Sequence, residues 1–184
     1  MPPKNKFTNK DIIDAAFKIV QKKGLDALTA RAIALALRSS TKPIYSQIKS
    51  MEKLKEAVIH KVYELFFEYA ERKITGDSLL DLQLNHIHFA YKEKNFFRCF
   101  YYEKYAHIHQ QYQGPYGQLW LQKVAGNPRY EKLNDSEKHM LMIKEWIFVH
   151  GLADLLTYST AKEFDAMRND ERMLIDFLRY EFKI

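Results

Sequence analysis

The chain has 184 residues, 47% hydrophobic and 14% aromatic, and carries a formal net charge of +6. That is enough apolar material for a real core, in one domain of ordinary size or in a small module joined to a larger one. The one cysteine, Cys99, excludes an internal disulfide and a cysteine-rich zinc site, and implies a reducing, cytoplasmic setting.

The opening run MPPKNKFTNKD is basic, and no apolar stretch follows it, so it is not read as a signal peptide. Thr8 or Asn9 caps a first predicted helix, in which Ile13, Ala16, Phe17 and Val20 recur at helical spacing with Ile12 and Ile19 beside them. Lysines in its last turn and Gly24 end it. Thr29 caps a second helix, where Ala30, Ile33, Ala34 and Leu37 repeat the spacing. A short third helix lies within RSSTKPIYSQI, with Pro43 in the first turn, where backbone amides lack helical partners anyway. A long fourth helix is predicted from 51 to about 73.

Asp77 or Ser78 then opens a helix to about 94, and NFFRCFYYEKYAHI is read as another. QGPYG and GNPR read as loops on either side of a short helix near 119–124. Asp135 or Ser136 opens a strongly apolar helix to about 158. Its most apolar part contains Lys144, Glu145, His150 and Asp154, too polar to span a bilayer. Thr160 begins a last helix, with Leu174, Phe177 and Leu178 on one face. Nothing alternates with period two, so the expected fold is all-α, with an N-terminal three-helix domain over 1–50 and a larger helical domain over 51–184.

The charge is uneven. Residues 1–50 hold ten Lys/Arg against three Asp, whereas the rest of the chain holds 19 Lys/Arg and 20 Asp/Glu. The whole positive excess therefore sits in the first quarter, which points to a polyanion or an acidic partner there. Two short helices joined by a few residues describe a helix-turn-helix. On a helical wheel of the third helix, Ile44 and Ile48 face the core with Thr41 beside them, and Ser39, Lys42, Ser46 and Lys49 lie opposite. Pro43 and Tyr45 flank that bare face, where small hydroxyls allow close approach and lysine can donate to a base or a phosphate.

The first sixty residues resemble the TetR family of transcriptional regulators. IIDAAFKIVQKKGLDALTARAIALAL resembles the family's first two helices, and SSTKPIYSQIKSMEKLKEAV its recognition helix and the entry to helix four. The Ile44–Tyr45 pair, the spacing to Ile48 and the Ser50, Glu52, Leu54 pattern carry the likeness. The resemblance implies a homodimeric DNA-binding repressor, released from a palindromic operator by a small effector. It assigns Tyr45 to a backbone phosphate, Lys42, Pro43 and Ser46 to the groove, and the Thr29 end of helix two to another phosphate. Arg31, Ser39, Ser40, Thr41 and Lys49 complete the candidate DNA-contact set. This chain departs from the family pattern at Arg38 and Ser39, where glycine and a small aliphatic residue are usual. It departs again at Ile48, usually aromatic, and at Met51, usually lysine.

The C-terminal part contains Trp146, His150 and Gly151 in EWIFVHGLADLL, similar to the Trp-x-x-x-His-Gly signature of one TetR subgroup. By that likeness the last two helices pair with their copies, and the candidate dimer residues are Trp146, Gly151, Leu155, Leu174, Phe177 and Leu178.

An aromatic cluster (Phe89, Phe96, Phe97, Phe100, Tyr101, Tyr102 and Tyr105, then Tyr112, Tyr116 and Trp120) is the candidate lining of an effector cavity. With His86, Trp146 and His150 as further members, it favours a largely apolar or aromatic ligand, and plain core is the competing reading. An effector wedged among Phe89, Phe100, Tyr101, Trp120 and Trp146 would tilt the fourth helix. The pairs His86/His88 and His107/His109 are two residues apart, so on a helix neither pair clamps a metal unaided. No nucleophile, metalloprotease or phosphate-loop motif is present, so neither an enzyme nor a cofactor is expected. The competing function is a helical protein–protein module whose basic head binds an acidic partner.

Overall fold

The computed structural model describes residues 7–125 and 127–182. The basic residues 1–6, and Gly126 of the predicted GNPR loop, lie outside the described residues. Among the described residues every regular element is a helix: α1 Asn9–Lys23, α2 Ala30–Ala36, α3 Lys42–Gln47, α4 Met51–Ala70, α5 Ser78–Lys92, α6 Lys94–Phe97, α7 Ala106–Val124, α8 Asp135–Tyr158, α9 Lys162–Asn169 and α10 Glu171–Phe182. No described helix is long and apolar enough to cross a membrane.

Contacts divide the chain into two compact units. One comprises residues up to 65 together with 95–110, and the other 66–94 and everything from 111 onward. α4 and α7 each contribute residues to both units, so the division does not follow the 50/51 boundary that periodicity predicts.

The first unit begins with a capping box: Thr8 Oγ1 accepts from the Asp11 amide at 3.2 Å, while Asp11 accepts from the Thr8 amide at 2.8 Å. Ile12, Ala16 and Val20 form the buried stripe of α1, and Gly24 takes φ 80° at its end. Ile33 and Ala34 of α2 and Ile44 of α3 are buried with them. A six-residue helix is too short to persist by itself, so the fully buried Ile44 is what holds α3 in place.

Two expected helices are organised differently. The segment 95–108 is not one helix: it passes from α6 through tight 3-10 turns at Arg98–Tyr101 and Glu103–Tyr105 before α7 starts. Side-chain anchors outweigh local helical preference here. Tyr102, in extended backbone, donates to Asp26 Oδ2 at 2.7 Å, and Lys104 pairs with Glu52 at 2.7 Å. Conversely, QGPYG is not a loop, because α7 runs straight through Pro115. Pro115 has no amide for the Gln111 carbonyl, yet Ile108, Leu119, Trp120 and Val124 are buried along the helix and Tyr112 and Tyr116 half-buried between them. That stripe at helical spacing offsets the lost hydrogen bond.

In the second unit α5 is buried on all sides from Leu79 to Ala90. Its N-cap Asp77 accepts from the Leu79 and Leu80 amides at 3.0 and 3.1 Å. Two buried polar groups on α5 are tied to neighbouring chain: Asp81 Oδ1 accepts from the Thr75 amide and hydroxyl, both at 2.7 Å, and Asn85 donates to the Arg72 carbonyl at 2.8 Å. α8 opens on a capping box between Asn134 and Glu137. The last predicted helix is two. Asp170 Oδ1 accepts from the Arg172 and Met173 amides at 3.0 and 3.2 Å and starts α10 afresh.

Candidate functional site

The turn between α2 and α3 is closed by two backbone bonds, Arg38 N to Leu35 O at 3.1 Å and Ser39 N to Ala34 O at 2.9 Å. This double closure needs a left-handed residue at its hinge, and Arg38 supplies it with φ 50°. Glycine takes that conformation freely, whereas a side chain there costs about 1–2 kcal/mol.

With Ile44 buried, the opposite face of α3 points outward. Lys42, Tyr45, Ser46 and Lys49 are exposed, Tyr45 at 59%, and Pro43 is half-buried. The Ser46 hydroxyl donates to the Pro43 carbonyl at 2.8 Å, so its oxygen lone pairs remain to accept. Thr29 Oγ1 caps α2 by accepting from the Ala32 amide at 3.1 Å, leaving its hydroxyl proton to donate. Ser39 is half-buried and donates to the Ser40 carbonyl at 3.0 Å; Arg31 and Ser40 are exposed. Thr41, expected beside the core, is exposed instead. It precedes the first helical residue, and its carbonyl accepts from the Ile44 and Tyr45 amides at 3.1 and 3.2 Å. Ile48 is only half-buried, because α3 ends there in extended backbone. Among the described residues, none of Arg31, Arg38, Lys42 and Lys49 sits in an ion pair, unlike Lys53 with Glu56 or Lys61 with Asp14. This edge of the first unit thus presents unneutralised cations among small hydroxyls.

The candidate pocket residues fall into two separate groups. Phe100, Tyr101 and Tyr105 belong to the first unit. There Phe100 stacks on Tyr63 with ring centroids 4.7 Å apart, Tyr101 is 51% exposed, and Tyr105 is buried with its hydroxyl pushed up by burial and by Glu52. His86, Phe89, Trp120, Trp146 and His150 belong to the second unit. Phe89 is fully buried core. His86 Nε2 lies 3.2 Å from His150 Nδ1, and His150 stacks on Trp146 at 5.0 Å. Burial pushes the His86 imidazole down to about 3, with the neighbouring His150 adding to the effect, so it is neutral at physiological pH.

A cleft enclosing about 220 Å³ of atom-free space, part of it open to solvent, is lined by Leu82 and Gln83 of α5, Tyr116 and Trp120 of α7, and Met142, Glu145, Trp146 and Val149 of α8. Trp120 Nε1 donates to Glu145 Oε2 at 2.6 Å. Glu145 is only 3% exposed, and burial pushes its carboxyl up to about 7, with Trp120 and Gln83 partly opposing the shift. Glu145 Oε1 and both polar atoms of the Gln83 amide, itself 3% exposed, have no partner at ordinary hydrogen-bonding geometry. Leaving such atoms buried and unmatched costs about 1–3 kcal/mol each.

α8 has two apolar faces. Glu145, Val149, Leu152, Ala153 and Leu156 are buried, while Met140, Ile143, Ile147, Leu155 and Tyr158 form an outward stripe. Gly151 lies within that stripe, exposed, and a Cβ added to it meets nothing within 4 Å. Trp146, at 42% exposure, reaches the border of this stripe. The candidate dimer residues on α10 are a correction: Leu174 and Leu178 are 1% and 0% exposed in their own subunit, and the half-buried Phe177 stacks on Phe148 at 6.0 Å. α10 packs against α9 and α5, with Phe148 of α8 against Phe177, and its exposed apolar side chains are Met173 and Tyr180.

The paired histidines have separate surroundings. His88 Nε2 meets Glu171 Oε1 at 3.2 Å, His109 meets the Tyr63 hydroxyl, and His107 is exposed. Among the described residues no three His, Cys, Asp or Glu side chains converge on a point that could hold a metal ion.

Sequence reasoning missed Gln83, Glu145 and Met142. The signal was present for Glu145, whose spacing from Val149, Leu152 and Leu156 places a charged residue on the buried face. No model of a known protein family matches the chain, and no curated protein is significantly similar to it.

Proposed function

We propose that the protein is a sequence-specific DNA-binding transcriptional regulator of the TetR type, acting as a homodimeric repressor whose second unit binds a small effector. The observation that carries this reading is the α2–turn–α3 edge. A short helix anchored by one buried isoleucine presents Lys42, Ser46 and Lys49 outward, with Tyr45 and the Thr29 cap beside them. Helix-turn-helix proteins dock such a helix in the major groove and hold register through flanking phosphate contacts. In this reading α2 and α3 form that motif, Tyr45 and the start of α2 bind phosphates, and Lys42 and Ser46 face base edges. The outward apolar stripe of α8, centred near Gly151, supports pairing with a second copy. In a two-fold dimer the two recognition helices then meet successive major grooves about 34–36 Å apart.

The test is binding to a random-sequence duplex across a salt series, followed by selection of the preferred operator. Each neutralised phosphate contributes a slope of about −0.9 in log affinity against log salt. No duplex binding at low salt would overturn the reading, in favour of a module whose basic head binds an acidic protein.

A further inference from the structure

Three buried polar atoms of the second unit line one cleft with no partner at ordinary hydrogen-bonding geometry, Glu145 Oε1, Gln83 Oε1 and Gln83 Nε2, although the Gln83 amide lies near enough to Glu145 to hold its carboxyl down in part. Two of them accept hydrogen bonds. The walls around them are aromatic (Tyr116, Trp120, Trp146), and the enclosed part of the cleft holds about one water as it stands. At the mouth are Met142, half-buried on a flexible thioether stem, and Trp146, 42% exposed. Met142 rests over Gly117, its Sδ 3.6 Å from where a Cβ would sit. A ligand larger than water requires the flexible Met142 thioether, packed against the cluster of Leu119 and Trp120, to swing aside.

We propose that this cleft binds a small, flat aromatic cation with paired N–H donors, of the arylamidine kind, whose head donates to Glu145 Oε1 and Gln83 Oε1 while its ring lies against Trp120 and Trp146. The chemistry follows from the complement of the site. Two neighbouring acceptors call for a two-pronged donor, a buried carboxylate calls for a positive charge, and tryptophan faces attract cations. The site lies wholly within the second unit. It rests on the effector reading only for its regulatory consequence.

Trp120 and Trp146 are the chain's only tryptophans, so intrinsic fluorescence reports directly on the cleft. Benzamidine, benzamide and benzoate are titrated into the full-length protein and into Glu145→Gln and Gln83→Leu, each checked for native helical content. Saturable quenching by benzamidine is expected, at least about tenfold weaker in Glu145→Gln, as for loss of a buried charge-assisted pair. Benzamide should be weaker and benzoate inert. If Glu145→Gln does not fold, the wild-type protein decides through pH. The titratable groups facing Glu145 are Asp77, whose charge holds its proton on, and Tyr116 and Tyr130, both pushed upward by burial; His150 stacks behind the Trp146 wall. Glu145 ionises between pH 6 and pH 8, so benzamidine should bind about tenfold tighter at pH 8, in the wild type and in His150→Gln alike, which separates the carboxylate from the imidazole behind Trp146. Absence of saturable benzamidine binding, or binding indifferent to Glu145→Gln, to pH or to the benzamide exchange, overturns the proposal. Duplex binding is measured alongside. Benzamidine binding that leaves duplex affinity unchanged keeps the site and removes its regulatory role, whereas duplex binding with no amidine binding keeps the regulator and removes this site.

Discussion

Gly151→Leu separates two quantities that usually change together. Within the subunit, Gly151 is exposed near the middle of the 24-residue α8, and an added Cβ touches nothing within 4 Å. Glycine in a helix interior is about 0.8 kcal/mol less favourable than leucine, so the isolated subunit should become more stable by about that amount. That is a rise of about 2–3 °C in Tm for a chain of this size. In a dimer built on the outward stripe of α8, the same substitution inserts a side chain where two helices meet. Overpacking costs about 1–3 kcal/mol, and two-fold symmetry applies it twice, so association weakens by about 2–6 kcal/mol, or about 30-fold and upward in Kd. Sedimentation equilibrium over a concentration series reads the association. Urea unfolding at a concentration where the wild type is also monomeric reads the subunit. A variant that dimerises with unchanged Kd would refute the assignment of this stripe. A destabilised monomer would refute the claim that nothing within the subunit covers Gly151.

Arg38→Gly should stabilise the first unit by about 0.5–1 kcal/mol, since glycine relieves the left-handed backbone but adds freedom to the unfolded chain. Arg38→Ala keeps the Cβ and should change little, and equal effects of the two in urea unfolding would count against a strained turn. Tyr45→Phe should weaken all duplex sequences alike, whereas Lys42→Ala or Ser46→Ala should cost about 1–3 kcal/mol on the selected operator and relax preference at one position. If Tyr45→Phe instead changes base preference, its phosphate role is wrong. Glu145 carries a folded-state carboxyl pushed above its unfolded value of 4.5 to about 7, so it costs little below pH 4.5, destabilises increasingly between 4.5 and 7, and reaches its full cost above 7. Glu145→Gln should therefore match the wild type at pH 4.5 and be more stable by about 3 kcal/mol at pH 8. Denaturation curves at the two pH values check this, and a variant weaker at pH 8 would mean that the charge has a compensating partner.

Signals that act within one helical turn were legible. Thr8 with Asp11, Thr29 before Ala32, and Asp77 before Leu79 are caps whose donor and acceptor lie two or three residues apart, so the chain order alone brings them together. The apolar spacing of α1 predicted that helix and, through Ile12, Ala16 and Val20, its buried stripe, and the outward face of α3 followed once Ile44 was placed inside. At Arg38 the structure shows what residue type did not, a left-handed hinge with φ 50°.

Tertiary packing decided what those local rules do not reach. Gly114, Pro115 and Gly117 argue for a loop, and the buried stripe from Ile108 to Val124 overrides them with more apolar contact than one backbone hydrogen bond is worth. Aromatic residues that look alike in sequence were divided between two units, Phe100 in the first and Trp120 in the second. Leu174 and Leu178 turned inward because the exposed and buried sides of an amphipathic helix are set by what packs on it, not by its own periodicity. The polar heart of the cleft joins Trp120 to Glu145 across 25 residues, with Gln83 contributed from a third helix. Helical periodicity tells which residues share a face of one helix. Which faces of three helices converge depends on the packing of the whole unit.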